Sequence, residues 1–165
     1  MPDIYFYSGV EDKLLFLCKL VQKILSDGRY GPIVLLSEDN PTELKMLSDT
    51  LWEYIPNSFL PNIIVGDEKS NSAAPILISG QFKTLKLPST TILCNLLLQP
   101  MIVPSHIKRV ILLIGQKDKD LQAGRICYRF YQQEHYLLSE LQQHFYLDLH
   151  KDYLFCYLKQ SLLQF

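Results

Sequence analysis

Three continuous apolar runs constrain the fold of this chain more than any other feature. They span Ile33–Leu36, Thr91–Leu98 and Arg109–Ile114, and each has the length of a strand without the alternation of a half-exposed one. Strands of this kind are buried on both faces, which is typical of parallel sheets covered by helices. The runs therefore favour a layered α/β fold.

Helical patterns alternate with the strand-like segments. Residues Leu14–Leu25 have helical spacing and end before Gly28, and Asn40–Pro41 with Glu43 is a strong helix start for a segment reaching about Tyr54. The shorter predicted strands are Ile4–Tyr7, Ile63–Val65 and Pro75–Ser79. The order predicts a single three-layer α/β/α domain with a mostly parallel sheet and Rossmann-like topology.

The segment from Leu137 onward has helix-like spacing, many aromatic residues and neither proline nor glycine. We therefore predict an α/β domain over residues 1–137 and a helical C-terminal extension over residues 138–165, packed on the same domain.

Charge and hydropathy exclude several classes of protein. The formal net charge is −1, so no strong overall field attracts nucleic acid, and direct, specific DNA binding is not expected. The N-terminus lacks the basic region and cleavage site of a signal peptide, and no apolar run approaches the roughly 20 residues that span a bilayer. We expect a cytoplasmic protein with no membrane contact.

Sequence motifs of catalysis are absent. The chain has no GxGxxG, no GxxxxGK[ST] and no GxSxG, and its four histidines do not have the spacing of a metal site. Four widely spaced cysteines form no CxxC pair and are expected to be buried thiols: Cys18, Cys94, Cys127 and Cys156. We expect no catalytic residues, no metal and no cofactor.

Two acidic pairs have alternative explanations. Asp118 and Asp120 could bind Mg²⁺, but the interleaved Lys117 and Lys119 favour a solvated helix start. Glu38 and Asp39 follow a strand, where α/β enzymes place acids, and the dipole of the next helix explains them equally well.

The segment 117–136 carries the strongest candidate binding site. If it is a helix, one face holds Arg125, Tyr128, Arg129 and Gln132. The opposite residues, expected to point toward the core, are Ala123, Ile126, Cys127 and Phe130. Two arginines beside an aromatic ring suit a carboxylate or phosphate ligand. The alternative is a solvated face with a half-buried tyrosine.

The combined pattern resembles the chi subunit of bacterial DNA polymerase III holoenzyme, a small α/β protein of the clamp-loader assembly. The most specific element is Leu51–Trp52, six intervening residues, and then Phe59 and Pro61. The resemblance extends over roughly residues 3–137 and includes the opening strand with Phe6 and Tyr7, the apolar segment Pro75–Ile78 and the Arg125 face.

The resemblance implies two binding surfaces and no catalysis. One surface binds the psi subunit of the polymerase, and Trp52 and Phe59 match its anchors. The other binds the acidic, phenylalanine-terminated C-terminal tail of single-stranded DNA-binding protein, and Arg125, Tyr128 and Arg129 match its key residues.

This chain also departs from the family pattern. Gln132 replaces an arginine, Leu121 occupies the place of an expected basic residue, and Asn62 stands where histidine is common. Lys117 or Lys119 is a candidate to replace the basic residue expected at Leu121.

Two other functions stay open at this point: a nucleotide-dependent or hydrolytic α/β enzyme with degenerate motifs, and a binder of single-stranded DNA. The missing glycine fingerprints count against the former, and the near-neutral charge counts against the latter.

Overall fold

The computed structural model of the protein describes residues 2–54, 56, 58–65, 74–81 and 87–142. Within these residues lie seven strands and three helices. In chain order they are β1 (Asp3–Val10), α1 (Lys13–Asp27), β2 (Ile33–Leu36), α2 (Pro41–Glu53), β3 (Asn62–Ile64), β4 (Ile76–Ser79), β5 (Ile92–Asn95), β6 (Arg109–Gly115), α3 (Asp118–Gln133) and β7 (Leu137–Gln142).

The strands form one sheet in the order β3-β4-β2-β5-β6-β1-β7, and every neighbouring pair is parallel. Strands β2, β4 and β5 are buried along their whole length, as their largely apolar composition predicts, and the buried polar residues Ser79 and Asn95 stand at the ends of β4 and β5. The predicted three-layer α/β fold is confirmed, and its sheet is parallel throughout.

The direction of each crossover decides which face of the sheet its helix covers. Helices α1 and α2 carry the chain toward the β3 edge, whereas α3 carries it toward the β7 edge. Because parallel crossovers are right-handed, opposite directions place helices on opposite faces. Accordingly, residues of α1 and α2 join one hydrophobic core and residues of α3 join the other.

The two apolar cores lie on either side of the sheet. On the first face, Leu17 and Val21 of α1 belong to the same hydrophobic core as Leu47 and Leu51 of α2. On the second face, Cys127 and Tyr131 of α3 are fully buried against the sheet. Connections that run toward the β7 edge also cover this second face, and their buried residues include Val65, Leu98, Val103 and Ile107.

Local sequence signals set the ends of the first two helices. Asp12 caps α1 by accepting a hydrogen bond from the Leu15 amide, and Gly28 ends it with φ of 66°. Asn40 caps α2 through the Thr42 amide, with Pro41 as its first residue. Both helix starts agree with the sequence interpretation.

The helix predicted from residue 138 onward is wrong where the structure describes it, because Leu137–Gln142 is strand β7. The α3 crossover brings the chain to the free edge of β1, where a strand can pair with β1 along six residues. Those backbone hydrogen bonds outweigh a local helical pattern. The remainder of the predicted extension, residues 143–165, lies outside the described residues.

Two further expectations need correction. Strand β5 ends at Asn95 rather than at Leu98, whose φ is 51°. Ile126 was expected to face the core and is 57% exposed. The buried stripe of α3 is Gly124, Cys127 and Tyr131, and its centre lies about 130° around the helix from Ile126.

Cys18, Cys94 and Cys127 are buried free thiols, as expected, and Cys156 lies outside the described residues. Burial raises the pKa of Cys18 and Cys127 to about 11 and that of Cys94 to about 12. Among the described residues, no helix is long and apolar enough to cross a membrane.

Candidate functional site: an arginine face and an aromatic patch

The four side chains singled out on α3 form what we call the arginine face: Arg125, Tyr128, Arg129 and Gln132. Arg125, Arg129 and Gln132 are exposed, and Tyr128 is partly buried. Within the described part of the chain, neither arginine makes an ion pair or a hydrogen bond. Both guanidinium groups therefore keep their donors available for an external ligand.

Tyr128 is fixed by the core beneath it. Its ring packs against Phe6 of β1 with centroids 5.3 Å apart and the planes tilted by 58°. Phe6 is only 2% exposed. Simple packing, the alternative interpretation of Tyr128, is thus part of its role, and the contact holds an aromatic surface beside Arg125 and Arg129.

Gly124 allows α3 to lie close to the sheet. A Cβ atom added to Gly124 would come within 2.6 Å of the Ile114 Cδ1 atom of β6. The sequence reasoning did not identify Gly124 and Tyr131 as core residues. With Cys127 they have the i, i+3, i+7 spacing of one helix face, but glycine, cysteine and tyrosine do not form a recognisable apolar pattern in the sequence.

Leu121 stands at the position where a basic residue was expected, and Lys117 and Lys119 are the candidates to replace that residue. Leu121 is partly buried and packs on the same core as Tyr128, so it extends the apolar side of the arginine face. Lys119 lies six residues before Arg125, which is about 120° around the helix, and so points away from the arginine face. Lys117 is the residue that precedes α3.

The acidic pair at the start of α3 has a structural explanation. The Asp120 carboxylate makes an ion pair of 2.6 Å with Lys13 Nζ, which joins the first turns of α3 and α1. Asp118 is exposed in the first turn, where the helix dipole favours an acid. Among the described residues, no group of three potential metal ligands is found.

The carboxyl ends of β2 and β5 form the switch point where open α/β sheets commonly bind ligands, because their connections leave in opposite directions. There, Asp39 accepts a hydrogen bond of 2.7 Å from Gln81. The buried Asn95 side chain accepts from the Leu97 amide and donates to the Gln99 carbonyl. These polar groups are engaged with the chain itself.

A second candidate surface, the aromatic patch, consists of Trp52 and Phe59. Trp52, near the end of α2, is 42% exposed, and Phe59, in the following loop, is 64% exposed. Phe59 has φ of 35°, a conformation that is uncommon for a bulky residue. The next residue, Leu60, is 3% exposed and packs in the core. The strained turn thus buries Leu60 while presenting Phe59 to solvent.

Hydrogen bonds tie the surroundings of the aromatic patch together. The Asn62 side chain accepts from the Ser48 hydroxyl at 2.6 Å and donates to the carbonyl oxygens of Leu60 and Ser48. At the end of α2, the Tyr54 hydroxyl donates to the Asp12 carboxylate. The Leu15 amide, and after it this hydroxyl, hold the pKa of Asp12 below its usual value. Helix α2, the Phe59 loop and β3 therefore form one connected unit.

The protein is a three-layer α/β domain in which the described strands form an all-parallel, seven-stranded sheet. The family model for the DNA polymerase III chi subunit, HolC, matches residues 1–139, and the chain belongs to this family. It is thus an accessory subunit of DNA polymerase III and takes part in DNA replication. A search of curated proteins found no match.

Proposed function

We propose that this protein is a cytoplasmic, non-catalytic adaptor that joins the psi subunit of the clamp-loader complex to the C-terminal tail of single-stranded DNA-binding protein. The observation that carries the proposal is the arginine face. Two exposed guanidinium groups without ion-pair partners in the described chain lie one helical turn apart beside a fixed aromatic ring.

The chemistry of the arginine face fits an acidic peptide that ends in phenylalanine. Such a peptide supplies a terminal carboxylate, further negative charges and one ring to bury. An arginine side chain can donate two hydrogen bonds to a carboxylate at once. Tyr128 and Leu121 offer partly buried apolar surface for the ring.

The aromatic patch is the proposed psi site. Trp is among the residue types that contribute most to binding at protein interfaces, and Phe is enriched in the buried centres of interfaces. The Asn62 hydrogen bonds join α2 to the loop that carries Phe59, and the Tyr54 hydrogen bond fixes the end of α2 beside Trp52, so the backbone of the patch needs little ordering when a partner binds.

The two surfaces are far enough apart for both partners to bind together. Helix α3 packs on β6 and β1 through Gly124 and Tyr128, whereas the aromatic patch adjoins β3 at the opposite edge of the sheet. Four or five strand spacings separate them, which is about 19–24 Å. The surfaces also lie on opposite faces of the sheet, since α2 and α3 pack on different cores.

A capture experiment tests the adaptor role. The psi subunit is immobilised, loaded with this protein, and exposed to single-stranded DNA-binding protein with or without its C-terminal tail. We expect retention of the intact protein only when the adaptor is present, and no retention of the tail-deleted form. Equal retention of both forms would contradict tail capture, and failure of the adaptor to load would contradict psi binding.

A further inference from the structure

The exposed edge of β3 is a second recognition element beside the aromatic patch. Among the described residues, strand β3 pairs only with β4 and forms one end of the sheet. Its Ile63 and Ile64 are each 39% exposed. Their register partners, Leu77 and Ile78, belong to different cores, so the two isoleucines flank the edge on opposite faces.

The direction of the main-chain groups shows which N–H and C=O groups of this edge can pair with a partner. The Val65 amide donates to the Ile78 carbonyl, so the main chain of Val65 points toward β4. Main-chain groups alternate in direction along a strand, and therefore Ile63 also points toward β4 and Ile64 points outward. The Ile64 N–H and C=O are a free donor and acceptor at the sheet edge within the described chain.

No charged side chain lies on this edge, although charge is one of the devices that commonly prevent association at sheet edges. Residues 62–65 contain no charged side chain, whereas the other edge strand, β7, contains Glu140. Pro61, which has no N–H, immediately precedes β3 and marks where the available edge begins.

The edge and the aromatic patch are continuous. Asn62, the first residue of β3, is hydrogen-bonded to Leu60 in the Phe59 loop and to Ser48 in α2. A partner segment that contacts Phe59 is thus guided onto the edge of β3 without rearrangement of this chain.

We propose that the psi subunit binds by adding an extended apolar segment to the free edge of β3, with Trp52 and Phe59 as side-chain anchors. The main chain of that segment pairs with the Ile64 N–H and C=O, and its alternate apolar side chains pack on Ile63 and Ile64. This inference rests on the proposed function, since it specifies how the psi partner is recognised.

Hydrogen exchange measured at individual amides tests strand addition in the unmodified protein. The Ile64 amide is expected to exchange rapidly in the free protein and to slow at least about tenfold when excess psi is bound. The Ile63 and Val65 amides already point toward β4 and serve as internal references. Binding of psi without slower exchange at Ile64 would overturn strand addition and leave the adaptor proposal standing, whereas no binding would overturn both.

Two variants of Ile64 separate the contribution of its main-chain N–H to psi binding from that of its side chain. Ile64→Pro removes the outward N–H without removing a bond to β4, and Ile64→Ala keeps the N–H but shortens the side chain. We expect Ile64→Pro to weaken psi binding at least about tenfold more than Ile64→Ala does, with tail binding unchanged. Equal affinities for the two variants would overturn the inference. If Ile64→Pro does not fold, as judged by its melting temperature, the hydrogen-exchange result decides.

Discussion

Replacement of Phe59 by glycine should separate partner binding from folding. Phe59 is 64% exposed, and an aromatic side chain buries about 150–250 Å² in full. About 100–160 Å² is therefore left for a partner to cover, equivalent to about 2.5–4 kcal/mol at about 25 cal/mol per Å². At about 1.4 kcal/mol per decade, Phe59→Gly should weaken psi binding by about 60- to 700-fold.

The same substitution should leave stability nearly unchanged. Phe59 has φ of 35°, and glycine adopts this conformation without the penalty of about 1–2 kcal/mol that a side chain incurs. Glycine loses about 0.5–1 kcal/mol through greater freedom of the unfolded chain. The free energy of unfolding should thus stay within about 1 kcal/mol of the parent, whereas truncation of a buried phenylalanine costs about 3–5 kcal/mol.

Affinity is measured by calorimetric titration with psi, and stability by urea unfolding. Phe59→Ala is the matched control for the lost ring with the strain retained, and Leu60→Ala, at a 3% exposed site, is the control for a core residue. Unchanged psi affinity in Phe59→Gly would refute the assignment of the patch. A loss of stability as large as that of Leu60→Ala would show that Phe59 belongs to the core.

Two further outcomes are expected. Deleting Ser139–Phe165 removes four of the six positions at which β7 pairs with β1. The free energy of unfolding of this deletion variant should be about 2–6 kcal/mol lower than that of a control variant that lacks only residues 143–165. Equal urea midpoints for the two variants would contradict the stabilising role of β7. Burial raises the pKa of Cys18 and Cys127 to about 11 and that of Cys94 to about 12, so the folded protein favours the protonated thiols. The stability that these thiols contribute is therefore complete below about pH 8.5, the pKa in the unfolded chain, and is lost as the pH rises toward 11–12. With Cys156→Ser, thiol labelling at pH 8 should be slow until denaturant is added, and rapid labelling of the native protein would contradict the burial.

Much of the fold was predictable because local and global preferences agree. The continuous apolar strands required cover on both faces, and the caps at Asn40 and Gly28 marked where helices begin and end. The order of the strands was not predictable, because it depends on which non-local edges pair. Strand β7 shows this: its sequence favours a helix, and the free edge of β1 makes it a strand.

Of the candidate sites, the residue identities and the helix periodicity identified the arginine face. The exposure of Trp52 was not predictable, because a tryptophan near the end of a helix is more often buried. The left-handed backbone of Phe59 and the bridging role of Asn62 depend on tertiary contacts with Leu60 and Ser48, and no local pattern reports them. Ile126 was misassigned because a helix resting on a sheet buries only a narrow stripe.

Capture of the tail by the arginine face can be measured by fluorescence anisotropy with a labelled acidic peptide that ends in phenylalanine. A hydrogen bond to a charged group contributes about 1.5–3 kcal/mol, so Arg125→Ala should weaken binding by about 10- to 100-fold. Arg129→Ala should also weaken binding, because its guanidinium group is likewise exposed on the arginine face. Lys119→Ala, which removes one positive charge from a different face of α3, is the control and should bind as the parent does.

Binding should also fall as salt is added, and a peptide without its terminal phenylalanine should bind poorly at every salt concentration. All variants are first checked for an unchanged melting temperature. We expect weak binding by Arg125→Ala and Arg129→Ala and full binding by Lys119→Ala. Unchanged affinity in both arginine variants, or an equal loss in Lys119→Ala, would contradict capture of the tail by the arginine face.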